Sequence, residues 1–222
     1  MSQTIYRITF EVKNIMDREF WHDFSCIIRI KNYVYLLILF PLFRLKHVLS
    51  RSGCGKTTLL NCLGLIQPIE NGKILIDGVD TGKWKDKDKT NFWHKYAAFI
   101  YQDYGIIEEE SIAYNITLDK SKIGKPEVEA LLKKIGLSGR AHEQAVVLSG
   151  GEKQRIGIAR AIFKNASIIY SDEPTASLDF ANREIVVNLL KECAANGAIV
   201  IIATHDERMA NECDKIINMN PK

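Results

Sequence analysis

Residues 148–155 read Leu-Ser-Gly-Gly-Glu-Lys-Gln-Arg, and thirteen residues further on the chain reads Ile168-Ile169-Tyr170-Ser171-Asp172-Glu173. These two stretches decide the fold. Between them Gly151–Phe163 has the pattern of a helix, and Ile168-Ile169-Tyr170 has the apolar run of a buried strand. The sequence then repeats the alternation, with a helical segment over Asn182–Ala194 and a second apolar run, Ala198-Ile199-Val200-Ile201-Ile202-Ala203. Strands that each follow a helix predict a largely parallel α/β sheet, because a parallel neighbour needs a crossover connection. Ser149 stands where a helix cap belongs, and the free amides of Gly150 and Gly151 make an anion site at a helix start.

Working outward, Pro126-Glu127-Val128-Glu129-Ala130-Leu131-Leu132-Lys133-Lys134-Ile135 places Val128, Leu131, Leu132 and Ile135 at helical spacing. Proline in its first turn and Gly136 just past its end predict a helix with both boundaries marked. Tyr96–Tyr101 and Lys73–Ile76 read as short strands, the latter running into a turn at Asp77-Gly78.

Upstream, residues 50–58 are Ser-Arg-Ser-Gly-Cys-Gly-Lys-Thr-Thr. Gly55, Lys56 and Thr57 match the phosphate-loop pattern, while Ser50 stands where its first glycine is expected. Gly53 and Gly55 let the backbone curl so that successive N–H groups point at phosphate oxygens. Lys56 supplies a cation for the β- and γ-phosphates, and the Thr57 hydroxyl can ligate Mg²⁺. The apolar stretch Leu59–Leu63 then predicts a helix whose positive end faces the anion. Ser50, Arg51, Ser52, Gly53, Cys54, Gly55, Lys56, Thr57 and Thr58 are the candidate ATP-binding residues.

Composition narrows the alternatives. The chain has 222 residues, 46% hydrophobic and 26% charged, with 14 Gly and 5 Pro, which excludes disordered and collagen-like classes. Its net charge of +3 demands no nucleic-acid partner, and none is expected. That charge is unevenly spread: residues 1–69 sum to +5 and the rest to −2, with no acidic residue from Phe24 to Ile69. Five scattered cysteines, with no CxxC pair, suit reduced thiols in the cytosol. Residues 1–23 contain no apolar core of a secretory signal. The longest apolar run, Tyr33–Phe43, is broken by Pro41 and is about half the ~20 residues a membrane-spanning helix needs. A buried strand is the expectation there.

The octapeptide at Leu148 resembles the signature motif of ABC-transporter ATPases, and the remaining family motifs follow in order. Ile168–Glu173 resembles the Walker B strand with its acidic pair, and Ser177-Leu178-Asp179 resembles the D-loop. Thr204-His205-Asp206 after a buried strand is similar to the switch-histidine segment, and Gln102 sits where the Q-loop belongs. The resemblance implies a P-loop NTPase fold of the ABC ATPase type, with a largely parallel sheet core, a helical subdomain at about 103–160 and an N-terminal antiparallel β part. It implies one nucleotide-binding domain over residues 1–222.

The same resemblance implies roles. Glu173, His205 and Gln102 would be catalytic: Glu173 as general base toward water, His205 on the γ-phosphate, Gln102 sensing Mg²⁺ and water. Thr57, Gln102 and Asp172 would serve the metal, with ATP and Mg²⁺ as cofactors. Leu148, Ser149, Gly150, Gly151, Glu152 and Gln154 would complete the site of an opposite subunit in a homodimer or ABC-domain dimer, and Asp179 would communicate across it. The partner would be a transmembrane permease, which puts the chain peripherally at the cytoplasmic face of the cell membrane. The segment Tyr101–Ser111 resembles peptide- and bacteriocin-export ATPases of the lactococcin 972 type, and related lipoprotein-release and macrolide-export ATPases.

The resemblance weakens over residues 1–49. Ile8–Asn14 resembles the family's first strand, but only Ile15 and Met16 stand where an adenine-stacking aromatic is expected, with Phe20 and Trp21 as substitutes. The strand feeding the phosphate loop is either Tyr33–Phe40 or the weaker Leu45–Leu49. These departures predict weakened nucleotide affinity. They also keep open a degenerate nucleotide-binding or regulatory subunit with impaired hydrolysis.

Overall fold

Alternate residues of the central strands face two different apolar cores. In β7 (Ile168–Asp172), Ile168 and Tyr170 join one core while Ile169 joins the other. In β8 (Ile199–Thr204), Ile201 and Ala203 face the first core, and Val200 and Ile202 the second. A strand covered on both faces must be apolar throughout, because successive side chains point to opposite sides. That is why Ile168–Tyr170 and Ile199–Ala203 read as unbroken hydrophobic runs.

The computed structural model describes residues 24–30, 33–39, 45–49, 55–69, 71–76 and 79–218. In chain order the elements are β1 (Phe24–Ile30), β2 (Tyr33–Leu39), β3 (Leu45–Leu49), α1 (Lys56–Leu63), β4 (Asn71–Ile76) and β5 (Val79–Asp80). Then come α2 (Asp86–Lys95), β6 (Ala97–Ile100), α3 (Ile112–Thr117), α4 (Pro126–Lys134) and α5 (Gly150–Phe163). β7, α6 (Phe180–Ala195), β8, α7 (Glu207–Asn211) and β9 (Lys215–Asn218) complete the chain.

Five strands form one sheet in the order β6-β7-β8-β3-β9, with every neighbouring pair parallel. A second, antiparallel sheet has the order β2-β1-β4-β5. The strand that feeds α1 is therefore Leu45–Leu49, an inner strand between β8 and β9. Tyr33–Leu39 instead pairs with β1 in the antiparallel sheet and stops before Pro41. The candidate first strand Ile8–Asn14, with Ile15, Met16, Phe20 and Trp21, lies outside the described residues, as does the expected turn at Asp77-Gly78.

Helices α3, α4 and α5 lie between β6 and β7 and pack into the second core, with Val128, Leu131, Leu132 and Ile135 buried on the face expected for α4. Gly136, just after it, adopts φ 74°, the left-handed conformation that ends a helix. On the other face of the sheet, Leu59 and Leu63 of α1 and Phe92 of α2 share the first core with Ile168 and Tyr170 of β7. The Tyr170 ring is stacked on Phe99 at 5.1 Å and its hydroxyl donates to Leu63 O at 3.0 Å. Gly64 is required there, since a Cβ would come within 2.3 Å of the Phe99 ring. Tyr170→Phe keeps the packing but removes the buried donor, so it should destabilise the chain by about 1–2 kcal/mol. Chemical denaturation should show a lower midpoint with an unchanged m-value. Among the described residues no helix is long and apolar enough to cross a membrane.

Candidate functional site

Parallel strands carry their ligands beyond their C-terminal ends, where the connecting loops diverge. Here the pairing aligns those ends: Leu49 of β3 stands opposite Thr204 of β8, and Asp172 of β7 opposite Ala203. Gly55, with φ 90°, leads into α1, whose first residues are Lys56 and Thr57. Ser50, Arg51, Ser52, Gly53 and Cys54 lie outside the described residues. Thr58 is half-buried in the first turn of α1.

The acidic pair at the end of β7 splits in two directions. Asp172 Oδ2 accepts from the Thr57 hydroxyl at 2.6 Å, and its buried Oδ1 has no hydrogen-bond partner among the described residues. Glu173 turns the other way because its backbone is left-handed, at φ 47°, with its N–H donating to Ala203 O at 2.7 Å. Such a conformation is costly for a residue with a side chain and persists only where the surroundings enforce it. It brings Glu173 Oε2 to the Thr204 hydroxyl at 2.7 Å and Oε1 to His205 Nδ1 at 2.9 Å. The buried Lys56 ammonium lies 3.5 Å from the same Oε1.

The two carboxyls are tuned apart. Burial raises Asp172 above the ordinary aspartate value, and the Thr57 hydrogen bond only partly opposes it. Burial pushes Glu173 up as well, but hydrogen bonds from His205 and Thr204, with the Lys56 charge, bring it below the ordinary glutamate value. The arrangement offers a cation and a hydroxyl at a helix start, one buried carboxyl oxygen without a partner, and one ionised carboxylate gripped by a hydroxyl and an imidazole. It can hold polyphosphate and act on water beside it.

The signature residues form a second cluster. Ser149 caps α5, with its hydroxyl accepting from Glu152 N at 3.4 Å while Glu152 Oε2 accepts from Ser149 N at 2.8 Å. Gly150 lies under Tyr104, whose hydroxyl would sit 2.6 Å from an added Cβ. Gly151 lies under Asn182, 2.6 Å from an added Cβ. Asn182 also receives Arg155 Nη1 and donates through Nδ2 to Asp179 Oδ2 at 2.7 Å. Asp179 caps α6, its Oδ1 accepting from Asn182 N at 2.8 Å, just after Ser177 in a left-handed turn and the half-buried Leu178. Leu148 is buried, and Gln154 is buried with no partner for its Nε2 among the described residues.

The fold brings Lys56, Thr57, Asp172, Glu173 and His205 together. Gln102 is exposed just past β6, and among the described residues no hydrogen bond reaches its side chain. Sequence reasoning missed the role of Thr204, a member of the switch-histidine segment whose signal was a hydroxyl between a buried strand and the histidine. It also missed Asn182 and Tyr104, which carry no signal until the glycines they cover are located in space.

The ABC transporter family profile matches residues 45–176. The chain belongs to the ABC transporter family. A relative is the lipoprotein-releasing system ATP-binding protein LolD of Porphyromonas gingivalis, 36% identical over 179 residues, covering 78% of this chain and 82% of that one. The macrolide export ATP-binding/permease protein MacB of Mannheimia succiniciproducens is 33% identical over 178 residues, 78% of this chain and 28% of that one. An uncharacterized ABC transporter ATP-binding protein of Mycobacterium tuberculosis is 34% identical over 180 residues, and the match spans about half (54%) of that relative's length. Among solved structures, the dimeric, post-hydrolysis ATP-binding cassette MJ0796 bound to ADP and Pi superposes with a TM-score of 0.73. It is 25% identical and covers 95% of this chain and 94% of that one. The fold is that of an ABC ATPase cassette, with the parallel sheet, the helices between β6 and β7 and the antiparallel sheet expected of it.

Proposed function

We propose that this chain binds and hydrolyses ATP as the nucleotide-binding subunit of an ABC transporter, in a head-to-tail dimer that drives a separate membrane permease from the cytoplasmic face. The observation that carries the reading is the convergence of Lys56, Thr57, Asp172, Glu173 and His205 at the ends of β3, β7 and β8. In this reading residues 1–222 act as one nucleotide-binding domain, with a helical subdomain at about 103–160. The dimeric state of the MJ0796 cassette supports the dimer.

Lys56 exchanges its contact with Glu173 for the β- and γ-phosphates, with residues 50–58 as the ATP-binding segment. The partnerless Oδ1 of Asp172 and the Thr57 hydroxyl are the hard oxygen set that suits Mg²⁺, an ion held by few protein ligands plus phosphate. Held by Asp172 and Thr57, Mg²⁺ would supply positive charge against the negative charge that develops on the transferring phosphate. Glu173, ionised and aimed by Thr204, accepts the proton of the attacking water. His205, with Nδ1 toward Glu173, presents its Nε2 edge to the γ-phosphate. The α5 N-terminus at Ser149, Gly150 and Gly151 closes over the nucleotide of the opposite subunit, with Leu148, Glu152 and Gln154 behind it. Ser177, Leu178 and Asp179 meet the partner subunit. Gln102 reports Mg²⁺ and water to the permease. Beside it, a groove of about 760 Å³ lined by Trp93, Phe99, Tyr101, Ile116, Leu118 and Arg160 suits an amphipathic permease segment.

The cargo we favour is an exported peptide, including a bacteriocin, or a similar molecule. Relatives named for macrolide export and syringafactin export support the direction. Phosphate release that requires both ATP and Mg²⁺ tests the activity, and nucleotide binding without release would favour the degenerate alternative. A second test reads the base. Losing the hydroxyl in Thr204→Val removes a contact that lowers Glu173. The acid limb of kcat/KM, which reports the free enzyme's base, should therefore move to higher pH.

A further inference from the structure

A carboxylate stands in the first turn of the helix that the dimer reading assigns to phosphate. Glu152 Oε2 accepts from both the Ser149 hydroxyl, at 2.7 Å, and the Ser149 amide, at 2.8 Å. Such a pairing stabilises a helix start, but beside a partner's γ-phosphate it adds repulsion and ties up the Ser149 proton. The other oxygen, Oε1, takes Arg140 Nη1 at 2.6 Å. Arg140 reaches it from the loop after α4, and its Nε donates to Glu143 Oε2 at 2.8 Å, which fixes the plane of the guanidinium.

We infer that Arg140 is a positioning residue of the nucleotide cap: it cancels the charge of Glu152 and keeps that carboxylate satisfied while the Ser149 hydroxyl turns to phosphate. When the hydroxyl leaves, Glu152 still has Arg140 and the Ser149 amide. Without Arg140 it would hold the hydroxyl harder and repel the incoming anion. Burial alone would push Glu152 up, yet the Ser149 and Arg140 contacts bring it below the ordinary glutamate value, so a charge is present to cancel. The side chains are 30% and 21% exposed, so water screens the pair only in part. The inference rests on the dimer reading.

The test is ATP-driven dimerisation, followed by light scattering in a Glu173→Gln background that blocks turnover. Arg140→Gln should raise the half-saturating ATP concentration about tenfold, the scale of one incompletely screened charge contact. In the Glu152→Gln background, where no charge needs cancelling, the same substitution should change it by less than about twofold. Arg140→Lys, which keeps the charge, should stay within about threefold of the parent. Equal losses in the two backgrounds, no loss in either, or a lysine variant as impaired as the glutamine one would overturn the inference. If the Glu173→Gln parent does not dimerise with ATP, the dimer reading fails and takes this inference with it.

Discussion

Replacing Glu173 with glutamine should lower steady-state ATP turnover by about 10²–10⁴-fold, the range a positioned general base contributes. The substitution is close to isosteric, and the amide oxygen can still accept from Thr204, which now donates at 2.7 Å. What is lost is the negative charge and the capacity to take a proton from water. Binding should respond in the opposite direction. Glu173 is only 11% exposed and lies 3.5 Å from Lys56, so in the free chain it holds the cation that the phosphates need. A neutral side chain weakens that hold on Lys56 and removes a carboxylate from the vicinity of the γ-phosphate. ATP should therefore bind at least as tightly as to the unchanged chain, and the nucleotide-bound dimer should persist because hydrolysis no longer dissolves it. Phosphate release and size-exclusion chromatography with and without Mg·ATP measure the two halves. Turnover at the unchanged rate would remove Glu173 from the role of base.

How much of this was readable beforehand depends on whether the signal is local. The cap at Ser149, the proline and glycine bracketing α4 and the apolar runs of β7 and β8 are local, and each element lies where its residues place it. The feeding strand was not readable. Tyr33–Leu39 is the more apolar segment, yet Leu45–Leu49, with Lys46 and His47 in it, is the inner strand. An apolar run suits either sheet, and only pairing with β8 and β9 separates the two. The same holds at the site. The acidic pair could be found from spacing, but the divergence of Asp172 and Glu173 depends on a backbone angle that no composition encodes. Arg140, Thr204 and Asn182 act through side chains distant in sequence, 12, 31 and 27 residues from Glu152, Glu173 and Arg155. A motif search assigns none of them a role.

Lys56→Ala should be as damaging as the loss of the base, but through binding. The ammonium is the first residue of α1, it is 7% exposed, and it faces a carboxylate in a site built to hold a polyanion. Truncating one partner of a buried charge pair costs about 2–5 kcal/mol, so ATP affinity should fall by about thirtyfold to several thousandfold. Phosphate release should drop to background with it. The free chain should change too, and the sign can be worked out. Lys56 is one of the contacts that keep Glu173 below the ordinary glutamate value. A group lowered in this way stabilises the folded chain above its unfolded pKa, and that stability fades as pH falls through the folded value. Lys56→Ala weakens the lowering, so the variant should be less stable than the parent at neutral pH. The gap should close on acidification, when Glu173 is protonated in both proteins. Denaturation midpoints across that range test the coupling independently of nucleotide. A variant with parental ATP affinity and a pH-independent stability gap would show that Lys56 neither meets the phosphates nor tunes Glu173.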